Sequence, residues 1–127
     1  MRVPVSQPQA DPVLDLSVLA ALRELGGVDE PGLVDELLEL FLQDSTRRLA
    51  NLEDALARGD GLGLARTAHT LRSSSTNVGA LRVARICMDL EACARDGEVR
   101  DAALRVRELA RALAAVRAAH TQLRRAA

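Results

Sequence analysis

Four long runs in which apolar residues recur at steps of three and four limit this chain to helices packed on helices. The first run is Leu33, Leu37, Leu40/Phe41, Leu49, Leu52 and Leu56, ending before Gly59. Leu64, Ala68, Leu71 and Ser75 follow and stop short of Gly79, and Val83, Cys87, Leu90 and Ala94 stop short of Gly97. The last is Val106, Leu109, Leu113, Val116, His120 and Leu123. Start signals agree with these phases. Asp29-Glu30-Pro31 places acids and a proline where a helix opens, and Asp60 is a natural cap for the next. The spacing thus predicts helices from about residue 30 to Gly59, Asp60 to Ser75 or Thr76, Ala80 to Arg95, and Glu98 to Leu123. A shorter one spans Asp15 to Leu25, with Leu16, Leu19, Ala20 and Leu22 apolar and Gly26-Gly27 as its stop. Connections of two to five residues between long helices make neighbours antiparallel. The expected fold is all-α, an antiparallel four-helix bundle with a short extra N-terminal helix. Residues 1–14 hold three of the four prolines and no helical period, so they are expected to be a flexible lead-in to one domain over 15–127.

Composition removes several function classes. Phe41 is the only aromatic residue, which argues against a β-sandwich and against base stacking on single-stranded nucleic acid. The formal net charge is -1, giving no general reason to expect nucleic-acid or membrane binding. That charge is unevenly spread. Residues 1–63 carry 5 Arg and 12 acids (net -7), residues 64–127 carry 12 Arg and 6 acids (net +6). An acidic helix beside a basic one accounts for this, and a basic docking face for an acidic partner is the sharper alternative. Cys87 and Cys93, six residues apart on one helix, are separated by about 9 Å of rise and are beyond bridging reach within that helix. They are expected to be buried small hydrophobes. No apolar run reaches membrane-spanning length and the N-terminus has no signal pattern, so a cytoplasmic, monomeric protein is expected.

His69 stands out from its helix. The inward stripe Leu64, Ala68, Leu71 and Ser75 leaves it roughly 130° from the stripe's centre, facing water. Small residues share its side, Ala65 at i−4, Ser73 at i+4 and Thr76 at i+7, with Arg66 and Arg72 at i−3 and i+3. This is a low surface that a second protein can approach. His120 sits instead on the apolar stripe of the last helix and is expected to be structural. Neither histidine has Cys or carboxylate at metal-ligand spacing in the sequence, so no metal site is expected. Ser73-Ser74-Ser75 lacks the strand-turn-helix setting of a serine nucleophile.

The run Ala68-His69-Thr70-Leu71-Arg72-Ser73-Ser74-Ser75, followed by Val78-Gly79-Ala80, resembles the signature of histidine-containing phosphotransfer (HPt) domains. That signature reads Ala-His-x-Leu-Lys-Gly-Ser-Ser, then a few residues, then an aliphatic residue, Gly and Ala. Leu37 to Phe41, Leu49, Leu52 and Ala55-Leu56 before Gly59-Asp60 resemble the family's preceding helix. Arg72 stands where the family has Lys, and Ser73 where it has Gly. The resemblance implies that His69 is the phosphoacceptor, with Arg72 stabilising the phosphoryl group and Arg66 in support. Ala65, Ser73 and Thr76 would meet the partner, and Leu71 and Gly79 would serve the fold. It also implies as partners the receiver domains of a hybrid sensor kinase and of a response regulator, whose own pocket supplies Mg²⁺. No cofactor is then expected on this chain. The two guanidiniums would disfavour an imidazolium at His69 and later pair with phosphoryl oxygens. A histidine-kinase dimerisation helix fits less well, since Thr70 and Ser74 stand where that family has an acid and a proline. A non-catalytic bundle of HPt shape that binds a signalling partner without carrying phosphate is the alternative.

Overall fold

A computed structural model describes residues 11–26 and 32–126 of the 127. They form five α-helices and, among the described residues, no strand: α1 (Leu16–Gly26), α2 (Leu33–Ala57), α3 (Gly61–Asn77), α4 (Leu81–Arg95) and α5 (Val99–Ala126). The four long helices close into a ring in which α2 and α4 each pack against both α3 and α5, and α1 leans on α2. The expected opening at Asp29-Glu30-Pro31 lies outside the described residues. The helix begins at Leu33 after Gly32, so the acids in its first turn are Asp35 and Glu36.

Leu38, Leu42, Leu52, Leu71, Val83, Cys87, Leu90, Leu109 and Val116 are fully buried along the axis of the ring. The stripe expected for α3 faces it, and so do those of α4 and α5 except for half-buried Ala94 and Leu123. That of α2 holds at Phe41 and Leu52 and shifts by one residue in its first turns. Val34, Leu38, Phe41, Leu42, Ser45, Leu52 and Ala55 are buried, whereas Leu40 is 61% exposed. Residues 37–42 read Leu-Leu-Glu-Leu-Phe-Leu, apolar nearly all round, so periodicity there leaves the phase open and packing decides it. Among the described residues of α1 only Leu19 is buried in the core, and Leu16 is exposed. Cys87 is buried as expected, and burial pushes its thiol up to about 12. Cys93 is only half-buried, which corrects its expected place in the core; burial and then the nearby Asp101 raise its thiol as well.

The boundary expected for the flexible lead-in also moves. Residues 11–14 form a strap across the α3–α4 turn: the Arg82 backbone N–H donates to the Pro12 carbonyl at 3.1 Å, and Arg85 pairs with Asp11 at 3.4 Å. Val13 and Leu14 pack against the core. Composition could not show this because the strap's hydrogen bonds come from backbone and from arginines some 70 residues away. The next residue, Asp15, donates its backbone N–H to the Gly79 carbonyl at 2.8 Å.

Between acidic α2 and basic α5 the charges meet directly: Arg124 lies 3.3 Å from Asp35, and Arg117 donates to Thr46. Within α2, hydrogen bonds first from Arg48 and then from Arg47 hold the Asp44 carboxyl below its ordinary value. A depressed carboxyl contributes stability above its unfolded value and loses it as pH falls through the folded one. Asp44→Asn is therefore expected to cost about 0.5 kcal/mol near neutral pH, as partly exposed pairs do. In urea titrations the two proteins should converge below the ordinary carboxylate range; a gap that persists in acid would contradict the assignment.

Candidate functional site

α3 presents the site because its own polar residues are satisfied locally. Asp60 caps the helix by accepting from the Gly63 backbone N–H at 2.9 Å. Gly63 makes this possible, since a Cβ there would overlap the Asp60 carboxylate. Further along, hydroxyls donate back to carbonyls one turn earlier: Thr70 to Arg66, Ser73 to His69, Ser75 to Leu71 and Thr76 to Arg72. A serine hydroxyl folded back this way keeps the helix surface low. Ser73 and Thr76 are exposed as expected, and Ser75 is fully buried.

His69 faces outward, its side chain 55% exposed. Its neighbour comes from α4, where Oε1 of Glu91 lies 3.2 Å from Nδ1. A carboxylate only accepts, so in a neutral ring Nδ1–H is the donor and Nε2 is the nitrogen that carries the lone pair. The other Glu91 oxygen lies 3.1 Å from Nη2 of Arg95, and the Glu91 side chain is only 9% exposed. Sequence reasoning missed Glu91. Its signal was present: it follows Cys87 by four residues, so a carboxylate lies on the flank of an apolar stripe where a solvated acid has no reason to be.

His69 lies on an open groove of about 790 Å³ between the start of α3 and the end of α4, with Leu62, Ala65, Arg66, Ala94 and Arg95 along its walls. At Gly61 an added Cβ would lie 3.3 Å from the Ala94 carbonyl, which lets α3 and α4 approach closely. Leu62 is 61% exposed and gives the groove an apolar lip. Ala65, expected on the exposed face, is buried at 6%; it forms part of the floor beneath the histidine, because α4 closes over that flank of α3. Arg66 is exposed on the wall and Arg72 is half-buried. The charges of Arg72 and Glu91 both reach the Cys87 thiol, one lowering it and the other raising it. Leu71 is fully buried, and Gly79 has φ +78° beneath α1.

His120 is buried at 4%, with Nε2 2.7 Å from Asp35 and Nδ1 3.9 Å from Glu39. It borders a hollow of about 270 Å³ at the opposite end of the bundle. Both histidines thus have carboxylates that only tertiary packing brings to them. Among the described residues one set of three potential metal-ligating groups, Cys93, Glu98 and Asp101, lies within 4.8 Å, and it includes neither ring. No described helix is long and apolar enough to cross a membrane.

Comparison with known proteins bears on the family and the fold. The chain is 31% identical over 87 residues to histidine-containing phosphotransfer protein 5 of Arabidopsis thaliana, covering 66% of this chain and 55% of that protein. It is 35% identical over 68 residues to pseudo histidine-containing phosphotransfer protein 2 of Oryza sativa subsp. japonica, covering 52% and 45%. It therefore spans about half the length of the curated relatives it matches. Its fold is similar to the crystal structure of histidine-containing phosphotransfer protein B (HptB) of Pseudomonas aeruginosa PAO1, with a TM-score of 0.81 and 39% identity over 91% of this chain and 97% of that one. A family model described as Hpt domain matches residues 36–119, the four long helices almost entire, and the chain belongs to the Hpt domain family.

Proposed function

We propose that this protein is a cytoplasmic, monomeric phosphorelay intermediate, taking a phosphoryl group from a receiver-domain aspartate onto Nε2 of His69 and passing it to the aspartate of a response regulator. The observation that carries this reading is the exposed His69 ring with Nδ1 tied to Glu91 and Nε2 bare. In the accepting step the Nε2 lone pair attacks phosphorus and the bond from phosphorus to the aspartyl oxygen breaks, returning a carboxylate to the receiver. Nδ1–H stays on Glu91, whose negative charge faces the ring as it gains positive character. The reverse step restores the aspartyl phosphate. Such transfers depend on positioning and charge more than on covalent help from the protein.

Beside His69 the groove wall carries Arg66, Arg72 lies three residues further along α3, and the single carboxylate, Glu91, is already paired with Arg95. This balance suits an anion, so the Mg²⁺ of the reaction belongs on the receiver's acidic pocket. The guanidiniums favour approach of that acidic surface. Ser73 and Thr76 lie on the exposed face where the partner would dock, and exposed Leu62 supplies apolar contact beside it.

Resemblance to a protein named pseudo histidine-containing phosphotransfer protein supports a second reading, a binding module that carries no phosphate. An exposed imidazole with a carboxylate at Nδ1 favours the carrier. The test is incubation with a phosphorylated receiver and Mg²⁺. An acid-labile, alkali-stable label on the peptide containing His69 is expected; no transfer from any receiver of the source genome would leave the binding module. Arg72→Ala is expected to slow transfer about tenfold, the worth of one charge-assisted hydrogen bond, with the thermal midpoint little changed. Equal stopped-flow rates for the two proteins would remove Arg72 from the site.

A further inference from the structure

The acceptor reading leaves one charged contact at the site without a role, the pair between Glu91 and Arg95. Glu91 divides its oxygens, one 3.2 Å from Nδ1 of His69 and the other 3.1 Å from Nη2 of Arg95. A carboxylate withdrawn from water needs both hydrogen bonds and a compensating cation. A neutral imidazole provides one N–H and no charge. Arg66 and Arg72 face the same region from α3, yet neither forms an ion pair with Glu91, whereas Arg95 does. Arg95 reaches it from one turn along α4, and its own side chain is 69% exposed at the wall of the groove that holds His69. Because its two oxygens have two different partners, rotation of the carboxylate is restrained.

We propose that Arg95 is a positioning residue for His69: it clamps Glu91 so that the carboxylate stays on Nδ1–H, which keeps the ring in one tautomer with Nε2 open to the groove. The proposal rests on His69 being the acceptor, but its first measurement needs no phosphate. In ¹⁵N-labelled full-length protein, held alkaline enough for a neutral ring, long-range ¹H–¹⁵N correlation reports which nitrogen of His69 carries the proton. The wild type is expected to show Nδ1–H. Arg95→Ala should move population to Nε2–H, and Arg95→Lys, which keeps a cation at the same turn, should restore Nδ1–H.

The acceptance rate should follow the tautomer, falling about fivefold in Arg95→Ala, the effect of one loosened hydrogen bond. In a Glu91→Ala background Arg95→Ala should change neither tautomer nor rate. An unmoved tautomer in Arg95→Ala would overturn the proposal. So would a rate loss that persists without Glu91, since Arg95 would then be acting on the partner directly. A wild-type ring that never accepts phosphate would instead overturn the acceptor reading, while the tautomer measurement still decides the clamp.

Discussion

Exchanging His69 for glutamine is expected to abolish phosphoryl acceptance while leaving the helical circular dichroism and the thermal midpoint unchanged. The ring is 55% exposed, and its one hydrogen bond to another side chain goes to Glu91. A glutamine amide can still donate to that carboxylate, so little folding energy is at stake. The nucleophilic nitrogen is what disappears, and no neighbour replaces it, because the nearby hydroxyls of Ser73 and Thr76 donate to backbone carbonyls. His120→Gln is the internal control and should behave in the opposite way. That ring is buried and lies 2.7 Å from Asp35, so its loss should cost about 1–2 kcal/mol of stability and leave labelling intact. Phosphate retained by the His69 variant, or an acid-stable label, would place the chemistry elsewhere. Loss of labelling in a folded His120 variant would show that the outward histidine is not the one that matters.

The largest stability effect is expected at Gly79. Its φ of +78° lies in the left-handed region, and an added Cβ would lie 3.0 Å from the Asp15 carbonyl oxygen and 3.1 Å from Cβ of Val18. Asp15 also donates its backbone N–H to the Gly79 carbonyl at 2.8 Å, so neither side of the contact is free to retreat. Gly97 has nearly the same φ, +74°, with nothing near its missing Cβ. The pair therefore separates backbone strain from crowding. Gly97→Ala should cost about 1 kcal/mol, the strain alone. Gly79→Ala should cost about 3 kcal/mol, strain plus the overpacking of a close contact. For a chain of this size the second change is a fall of about 10 °C in thermal midpoint. Equal losses at the two glycines would mean that α1 yields easily and does not brace the α3–α4 turn.

Glycines and periodicity made most of the architecture legible. Gly59, Gly79 and Gly97 each follow a helix and each adopt positive φ, because an L side chain resists that conformation and the chain marks such places with glycine. Leu64, Ala68, Leu71 and Ser75 define the buried side of α3, and that stripe by subtraction turns His69 outward. These are local facts, settled within a few residues, and so a linear reading reaches them. Where the apolar pattern had no clear phase, as in Leu37 to Leu42, the same reading found Phe41 but took Leu37 and Leu40 for the buried Leu38 and Leu42.

Contacts between helices were not legible. Ala65 shares the helix side of His69, yet α4 covers one flank of that side and not the other, and only the packing angle decides which. Glu91 lies 22 residues beyond His69 and Asp35 lies 85 before His120, separations that no local pattern encodes. The strap of residues 11–14 likewise owes its order to partners on α4. From its sequence alone this chain determines that it is a helical bundle and which imidazole faces solvent, since both follow from the 3.6-residue turn. The tertiary structure decides which carboxylate holds the proton of that imidazole and which nitrogen is left free, because a side chain's reach of a few ångströms has meaning only after the helices are docked.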